Sequence, residues 1–212
     1  MPHQLKIALL GGTGAVGGLF LEQALNAGHQ VYALARDPDK MAERDGLSIQ
    51  QGEAANPADV AAIIESADVV VSCIGHTKQG PIMERTAQSI LDAARNRTDP
   101  PKVVIVSSLG CGGTSLLVKT LSILMGGTKV FADYENADAL VLRETAVPYV
   151  LVRPTGLTDG PETGKYTAVR SNVTFASRIS RADTAKFLLD AATQNTWDGP
   201  GGVQLGGFKQ PK

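Results

Sequence analysis

Residues 5–17, Leu5-Lys6-Ile7-Ala8-Leu9-Leu10-Gly11-Gly12-Thr13-Gly14-Ala15-Val16-Gly17, decide how the rest of the chain is read. The apolar run Leu5–Leu10 is too short for a core helix and suits a strand buried on both faces. A glycine-rich turn follows at once, and then apolar residues at helical spacing: Val16, Leu19, Phe20, Ala24 and Ala27. Strand, glycine turn and helix thus succeed one another. Counted from Gly12 the turn reads G-x-G-x-x-G, and from Gly11 it reads G-x-x-G-x-x-G. One glycine lets the chain leave the strand, one removes a Cβ that would block a pyrophosphate, and one brings the helix close to the sheet. Backbone N–H groups at the helix start, aided by the helix dipole, then face an anion. The expectation is a dinucleotide cradle formed by Gly11, Gly12, Thr13, Gly14, Ala15, Val16 and Gly17.

Composition narrows the possibilities. The chain has 212 residues, 43% hydrophobic and 19% charged, which suits one globular domain spanning residues 1–212 with a sizeable core. Twenty basic residues against 21 acidic ones provide no global attraction to nucleic acid or an anionic membrane. No apolar run reaches membrane-spanning length, and no signal-peptide core precedes the first strand. Cys73 and Cys111 make no disulfide framework. These features lead to the expectation of a cytoplasmic enzyme, monomeric in this compact form.

Strand and helix patterns alternate down the chain. Gln30–Ala35 reads as a second strand, with Arg36 directly after it. An acidic residue there would hold ribose hydroxyls, whereas arginine suits a 2′-phosphate, so NADP(H) is favoured over NAD(H), with Lys40 as a second positive charge. Leu47–Gln51 reads as a third strand, followed by Glu53, an acceptor for the adenine amino group or a plain surface carboxylate. Asn56-Pro57 caps a helix running to Glu65. Asp68–Ile74 reads as the fourth strand, ending in Gly75-His76 at the carboxyl edge where ligands of open α/β sheets sit. A helix over residues 82–97 stops before Pro100-Pro101. Lys102–Val106 is the fifth strand, with Ser107 and Ser108 again at the carboxyl edge. Leu116–Met125 suits either a lid or a core helix. Residues 133–145 read as a helix, and Tyr149–Val152 as a sixth strand leading into Arg153-Pro154-Thr155-Gly156. The sum is a single-domain α/β Rossmann fold with a doubly wound, mostly parallel sheet and a substrate pocket formed by C-terminal loops.

With these elements placed, the chain resembles the atypical short-chain dehydrogenases/reductases, in particular their NmrA-like NAD(P)H-binding branch and the biliverdin-IXβ reductase/flavin reductase family. The carriers are GGTGAVG at Gly11–Gly17, ALARDPDK at Ala33–Lys40, VVIVSSLG at Val103–Gly110, LRETAVPYVLVRPTGLTDGPETGKYT from Leu142, and SRISRADTAKFLL from Ser177. The resemblance implies that Thr13, Gly14 and Val16 line the pyrophosphate and Arg36 the 2′-phosphate. It places Glu53 and Ala54 near adenine, and Ile74 and Gly75 along the nicotinamide ribose. Ser107 and Ser108 match the family's serine position beside nicotinamide and substrate, and Pro154, Thr155 and Gly156 match the loop abutting the nicotinamide. Ile179–Asp183 matches the segment that caps a helix over residues 183–192, a structural role.

Conventional short-chain dehydrogenases carry a Tyr-x-x-x-Lys pair whose lysine lowers the tyrosine pKa. Here Tyr134 is followed four residues later by Asp138, which opposes phenolate formation. Aligning on the later Leu142-Arg143-Glu144 puts Phe131 and Glu135 at the two positions instead. Neither register supplies the pair. The family's histidine in the loop filled here by Thr155-Gly156 is missing as well. The sequence therefore implies a reductase passing hydride to an acceptor that needs little protein acid: a flavin, a quinone or a linear tetrapyrrole. Ser107 or Ser108 would hydrogen-bond the carboxamide or the acceptor. The alternative is a non-catalytic sensor of the dinucleotide's redox state. Several other residues read as bland. Cys73 is a small core residue, and Cys111 is loop-placed, where it could be exposed, but with no histidine near it in sequence it does not read as a nucleophile. The three histidines lack metal-ligand spacing, so no metal site is expected. Trp197 and Phe208 read as packing residues, Tyr166 as a candidate wall of the substrate pocket, and His76 as a loop histidine on the substrate side.

Overall fold

A computed structural model describes residues 4–75, 80–111, 120, 123–124, 127–170 and 178–207. Strand β1 (Lys6–Leu10) lies between β2 (Gln30–Ala35) and β4 (Val69–Ser72), parallel to both. Strands β3 (Leu47–Gln51), β5 (Lys102–Val106) and β6 (Tyr149–Pro154) extend the parallel pairing on either side. With β8 (Thr167–Val169) and β10 (Gly202–Gly206), the sheet order is β3-β2-β1-β4-β5-β6-β10-β8. Only β8, at the edge, runs antiparallel, against β10. The order reverses between β1 and β4, which creates the crevice where such sheets bind ligands. A separate two-stranded parallel sheet pairs β7 (Gly156–Thr158) with β9 (Arg178–Ser180).

The strands alternate because both faces of the sheet are covered. On one face Ile7, Leu9, Val31 and Val104 pack against Phe20, Leu21 and Ala24 of α1 (Ala15–Asn26) and against Leu188 and Ala192 of α5 (Arg181–Thr193). On the other, Ala8, Leu10, Val70 and Val103 meet α2 (Pro57–Ile64), α3 (Met83–Arg95) and α4 (Thr128–Leu142). A central strand sandwiched in this way has no wet face, which is why β1 reads as a continuous apolar run.

Several boundaries differ from the sequence reading for local reasons. The fourth strand pairs only over Val69–Ser72; the Cys73 amide still donates to the Leu10 carbonyl at 2.9 Å, and Ile74 lies beyond the ladder. Helix α4 starts at Thr128 rather than Asp133, after Gly127 turns the chain at φ 81°, and ends at Leu142. Helix α5 starts at Arg181, two residues before the expected start, because Ser180 is its N-cap. Strands β7, β8 and β9 have three residues each, too few for alternation to register in sequence. The expected caps hold: Asn56 accepts from the Ala58 amide at 3.1 Å, with Pro57 in the first turn of α2. His76 and Phe208 lie outside the described residues, as does Leu116–Met125 apart from Thr120, Ile123 and Leu124. Among the described residues no helix is long and apolar enough to cross a membrane.

Candidate functional site

The glycine turn settles its own register. Gly11 has φ +86°, and a Cβ there would stand 2.9 Å from the Cys73 carbonyl. A Cβ on Gly17 would stand 2.1 Å from the Gly11 carbonyl oxygen, so helix and turn touch through bare backbone. Gly14 is the N-cap of α1; its amide donates to the Gly11 carbonyl at 3.0 Å, and no side chain caps the helix. The three structural positions are therefore Gly11, Gly14 and Gly17. Gly12 is different, since a Cβ there would meet only the movable ends of Leu9 and Met41 at 3.1 Å.

Two hollows open along the carboxyl edge from this turn. The smaller, of about 100 Å³, is lined by Gly11, Thr13, Arg36, Glu53, Ala54 and Ile74 among others. The larger, of about 460 Å³, begins at Gly14, Ala15 and Val16, passes Ile74 and Gly75, and reaches Ser107, Ser108, Pro154 and Thr155. Ile74 lines both, so the two hollows adjoin along one groove-like edge of the sheet. This groove brings together most of the residues singled out from the sequence. Gly12, Gly17, Gly156 and Lys40 line neither hollow. Lys40 instead pairs with Asp37 at 3.0 Å in the solvent. A wider hollow of about 880 Å³ lies beside β3, lined by Asp39, Glu43 and Asp45 with Arg44 and Met41 among others, so its carboxylates make it a poor receiver for phosphates.

Five residues that line the larger hollow carry no site role in the sequence reading: Cys73, Val106, Tyr134, Leu157 and Arg181. Tyr134 comes from α4, and a Cβ on Gly75 would stand 3.2 Å from its hydroxyl. The first of the two alternative registers is thus the one that faces the site, because Phe131 is buried in the core. Asp138, one turn further on, faces the interior. Its carboxylate accepts from Arg153 Nε at 2.8 Å, and both side chains are buried. Burial pushes the Asp138 carboxyl up, although the Arg153 guanidinium works against that rise. Ser107 stands close enough to this carboxylate to favour its charged form. Even so, Ser107 Oγ has no hydrogen-bond partner of good geometry among the described residues, and neither does Thr155 Oγ1. Ser107 and Thr155 are only 6% and 4% exposed, so the wall of the larger hollow holds two buried hydroxyls without a well-formed hydrogen bond among the described residues. Such groups are rare in native interiors and mark places where a ligand or water completes the bonding.

Cys73 lines the larger hollow, whereas Cys111, Tyr166 and Trp197 do not. Cys111 is fully buried, not open to solvent as its loop position suggested, and burial pushes both Cys111 and Cys73 thiols up to about 12. Tyr166 packs edge-on against Phe187 with ring centres 6.1 Å apart, and does not line the larger hollow. Trp197 meets the same Phe187 at 5.5 Å, the packing role expected of it. No cluster of metal-binding side chains occurs among the described residues.

The chain matches a family model described as NAD(P)H-binding over residues 11–195, and it belongs to that family. Among curated proteins, it is 31% identical over 86 residues to the phenylcoumaran benzylic ether reductase Betv6 of Betula pendula, a match covering 36% of this chain and 28% of that one. The chain thus spans little more than a quarter of that relative. An uncharacterized chloroplastic protein of Arabidopsis thaliana is 25% identical over 205 residues, covering 89% of this chain and 72% of the other. Among solved structures, the anaerobilin reductase ChuY of Escherichia coli O157:H7 superposes with TM-score 0.77 at 23% identity, covering 98% of this chain and 100% of that one. The oxidoreductase ylbE of Lactococcus lactis superposes with TM-score 0.79 at 17% identity, covering 95% and 90%. At these identities the structures establish a shared fold.

Proposed function

We propose that this protein is an NADPH-dependent reductase that delivers hydride to a conjugated acceptor: a flavin, a quinone or a linear tetrapyrrole. One observation carries the reading. Two adjoining hollows lead from Arg36 past an uncapped helix N-terminus to a largely apolar space lined by the buried hydroxyls of Ser107 and Thr155, neither with a well-formed hydrogen bond among the described residues. The residues present fit a dinucleotide. The open amides at the start of α1, with Thr13, Ala15 and Val16 beside them, suit the diphosphate. Arg36 would hold the 2′-phosphate, Glu53 and Ala54 would flank adenine, and Ile74 and Gly75 would follow the nicotinamide ribose. Pro154, Thr155 and Gly156 would abut the nicotinamide. When bound, NADPH supplies the hydride.

The chain's own part is orientation and exclusion of water. The Ser107 and Ser108 hydroxyls can hydrogen-bond the carboxamide or the acceptor and so fix their mutual geometry. In place of a lysine, Asp138 stands four residues after Tyr134, tied to Arg153. With a carboxylate at the position where the conventional pair has its lysine, a conjugated acceptor that spreads the arriving charge and takes its proton from water suits the site. The phenylcoumaran benzylic ether reductase and ChuY, both reductases by name, support hydride chemistry on this scaffold.

The test is steady-state NADPH oxidation against a panel of flavin, quinone and bilin acceptors. Turnover with at least one class is expected. Arg36→Ala should raise the KM for NADPH about tenfold, the worth of one charge-assisted hydrogen bond, and leave that for NADH unchanged. NADPH binding with no oxidation across the panel would overturn the reductase reading in favour of a redox sensor.

A further inference from the structure

We propose that Arg181 anchors an anionic group of the electron acceptor, a carboxylate or a phosphate, at the larger hollow. The inference rests on the reductase reading and narrows its acceptor class from conjugated molecules in general to negatively charged ones.

Four observations lead there. Arg181 is the sole charged residue among the described residues that line the larger hollow; the rest are apolar, glycine or neutral polar. A guanidinium is always charged and presents a planar fork of donors matched to carboxylate and phosphate. Its protein partner is a weak claimant. Asp159 accepts from Arg181 Nη1 at 2.6 Å, but the Asp159 side chain is 96% exposed, so water competes for it and an incoming anion can replace it. Asp159 and Arg181 directly follow the paired strands β7 and β9, whose small sheet continues from the end of β6 beyond Pro154. That places the guanidinium next to the acceptor end of the groove rather than the adenosine end. Finally, the buried hydroxyls of Ser107 and Thr155, without a well-formed hydrogen bond among the described residues, line the same hollow, so it can receive polar ligand atoms.

The helix that begins at Arg181 does not need this side chain. Ser180 already caps α5, and its hydroxyl accepts from the Asp183 amide at 2.9 Å. The cofactor's charges have other receivers in the uncapped start of α1 and in Arg36. Among the described residues that line the two hollows, Arg181 is the further cation available to a second ligand.

The experiment measures equilibrium binding of matched pairs to the NADP⁺-loaded protein: FMN and riboflavin, a quinone carboxylate and its carboxamide, biliverdin and its dimethyl ester. In the wild type, the anionic member of at least one pair should bind about tenfold tighter. Arg181→Gln should abolish that preference while leaving the affinities for the neutral member and for NADP⁺ unchanged. Asp159→Asn, which removes the competing carboxylate, should strengthen the anionic member about twofold, and it keeps the test decisive if the arginine variant folds poorly. The inference is overturned if no pair shows a preference, if the preference survives in Arg181→Gln, or if NADP⁺ affinity falls in its place. The last result would assign the arginine to the cofactor diphosphate. Oxidation of NADPH at equal efficiency with both members of a pair would leave the reductase standing and remove the anchor. Failure to oxidise NADPH with any acceptor would remove the reductase, while the binding preference still reports on Arg181.

Discussion

Helices α1 and α5 pack side by side on one face of the sheet, yet their N-termini are finished in opposite ways. Helix α1 begins at Gly14 with no side-chain cap. Helix α5 begins at a closed knot. Ser180 caps the Asp183 amide, and the Asp183 carboxylate accepts from Ser180 Oγ, Thr163 Oγ1 and the Thr163 and Gly164 amides, all within 2.9 Å. A helix start leaves four N–H groups without intrahelical partners, and a protein satisfies them unless something else is meant to. The open end is where a ligand belongs, and the closed end is where the chain holds its own loop. Two glycine-rich stretches, GGTGAVG and TDGPETG, thus do opposite work, one exposing backbone donors and the other consuming them.

The comparison can be broken most forcefully at the knot. Asp183→Ala removes the acceptor of four hydrogen bonds and should lower unfolding free energy by about 3 kcal/mol in denaturant titration, with NADPH affinity little changed. The same carboxylate predicts a pH dependence. Burial works against its charge, but the Thr163 and Gly164 amides and the Thr163 and Ser180 hydroxyls win, holding its pKa below the ordinary value. Its stabilisation is therefore complete at neutral pH and is lost as pH falls through the depressed folded-state pKa. The stability gap between wild type and Asp183→Asn should narrow in acid, and a gap that widens there would refute this assignment.

At the open end, Gly17→Ala forces a Cβ to 2.1 Å from the Gly11 oxygen. The turn must shift, which should cost about 2 kcal/mol of stability and weaken NADPH binding at least tenfold, as calorimetry would show. Gly14→Asp sharpens the contrast by giving the open end the cap it lacks. Stability should change by less than about 0.5 kcal/mol, because Gly is itself a tolerable cap. NADPH affinity should fall about tenfold, since a carboxylate now competes for the donors and repels the phosphates. The smallest effect is expected beneath the turn. With both thiols pushed to about 12, the native protein should not react with a thiol reagent at mildly alkaline pH, whereas the denatured chain should titrate both cysteines.

Much of this was legible in one dimension. The apolar run before Gly11, the helical spacing after it and the alternation along β2 to β6 follow from local geometry, and each recurred in the structure close to where it was read. The Asn56-Pro57 start of α2 and the capping role of the Ile179–Asp183 segment were equally local. What failed did so for want of range. Cys111 looked exposed because its neighbours are glycines, but Ser107, Asp138 and Arg153 gather over it from distant elements. Tyr166 looked like a pocket wall because it follows a turn, but Phe187 of α5 claims it. Arg181 looked like part of a cap because the cap and the side chain share one helical turn while facing different partners.

By itself the sequence determined the element order, the doubly wound parallel architecture and the glycine cradle, because apolar spacing and backbone stereochemistry act over a few residues. Only the tertiary structure decided which register of the glycine motif is structural, that Tyr134 rather than Phe131 faces the site, and that Ser107, Thr155 and Arg181 share one wall. Those relations depend on how β5, β6 and β9 end beside one another, and side-chain convergence across separate strands has no signature in local spacing.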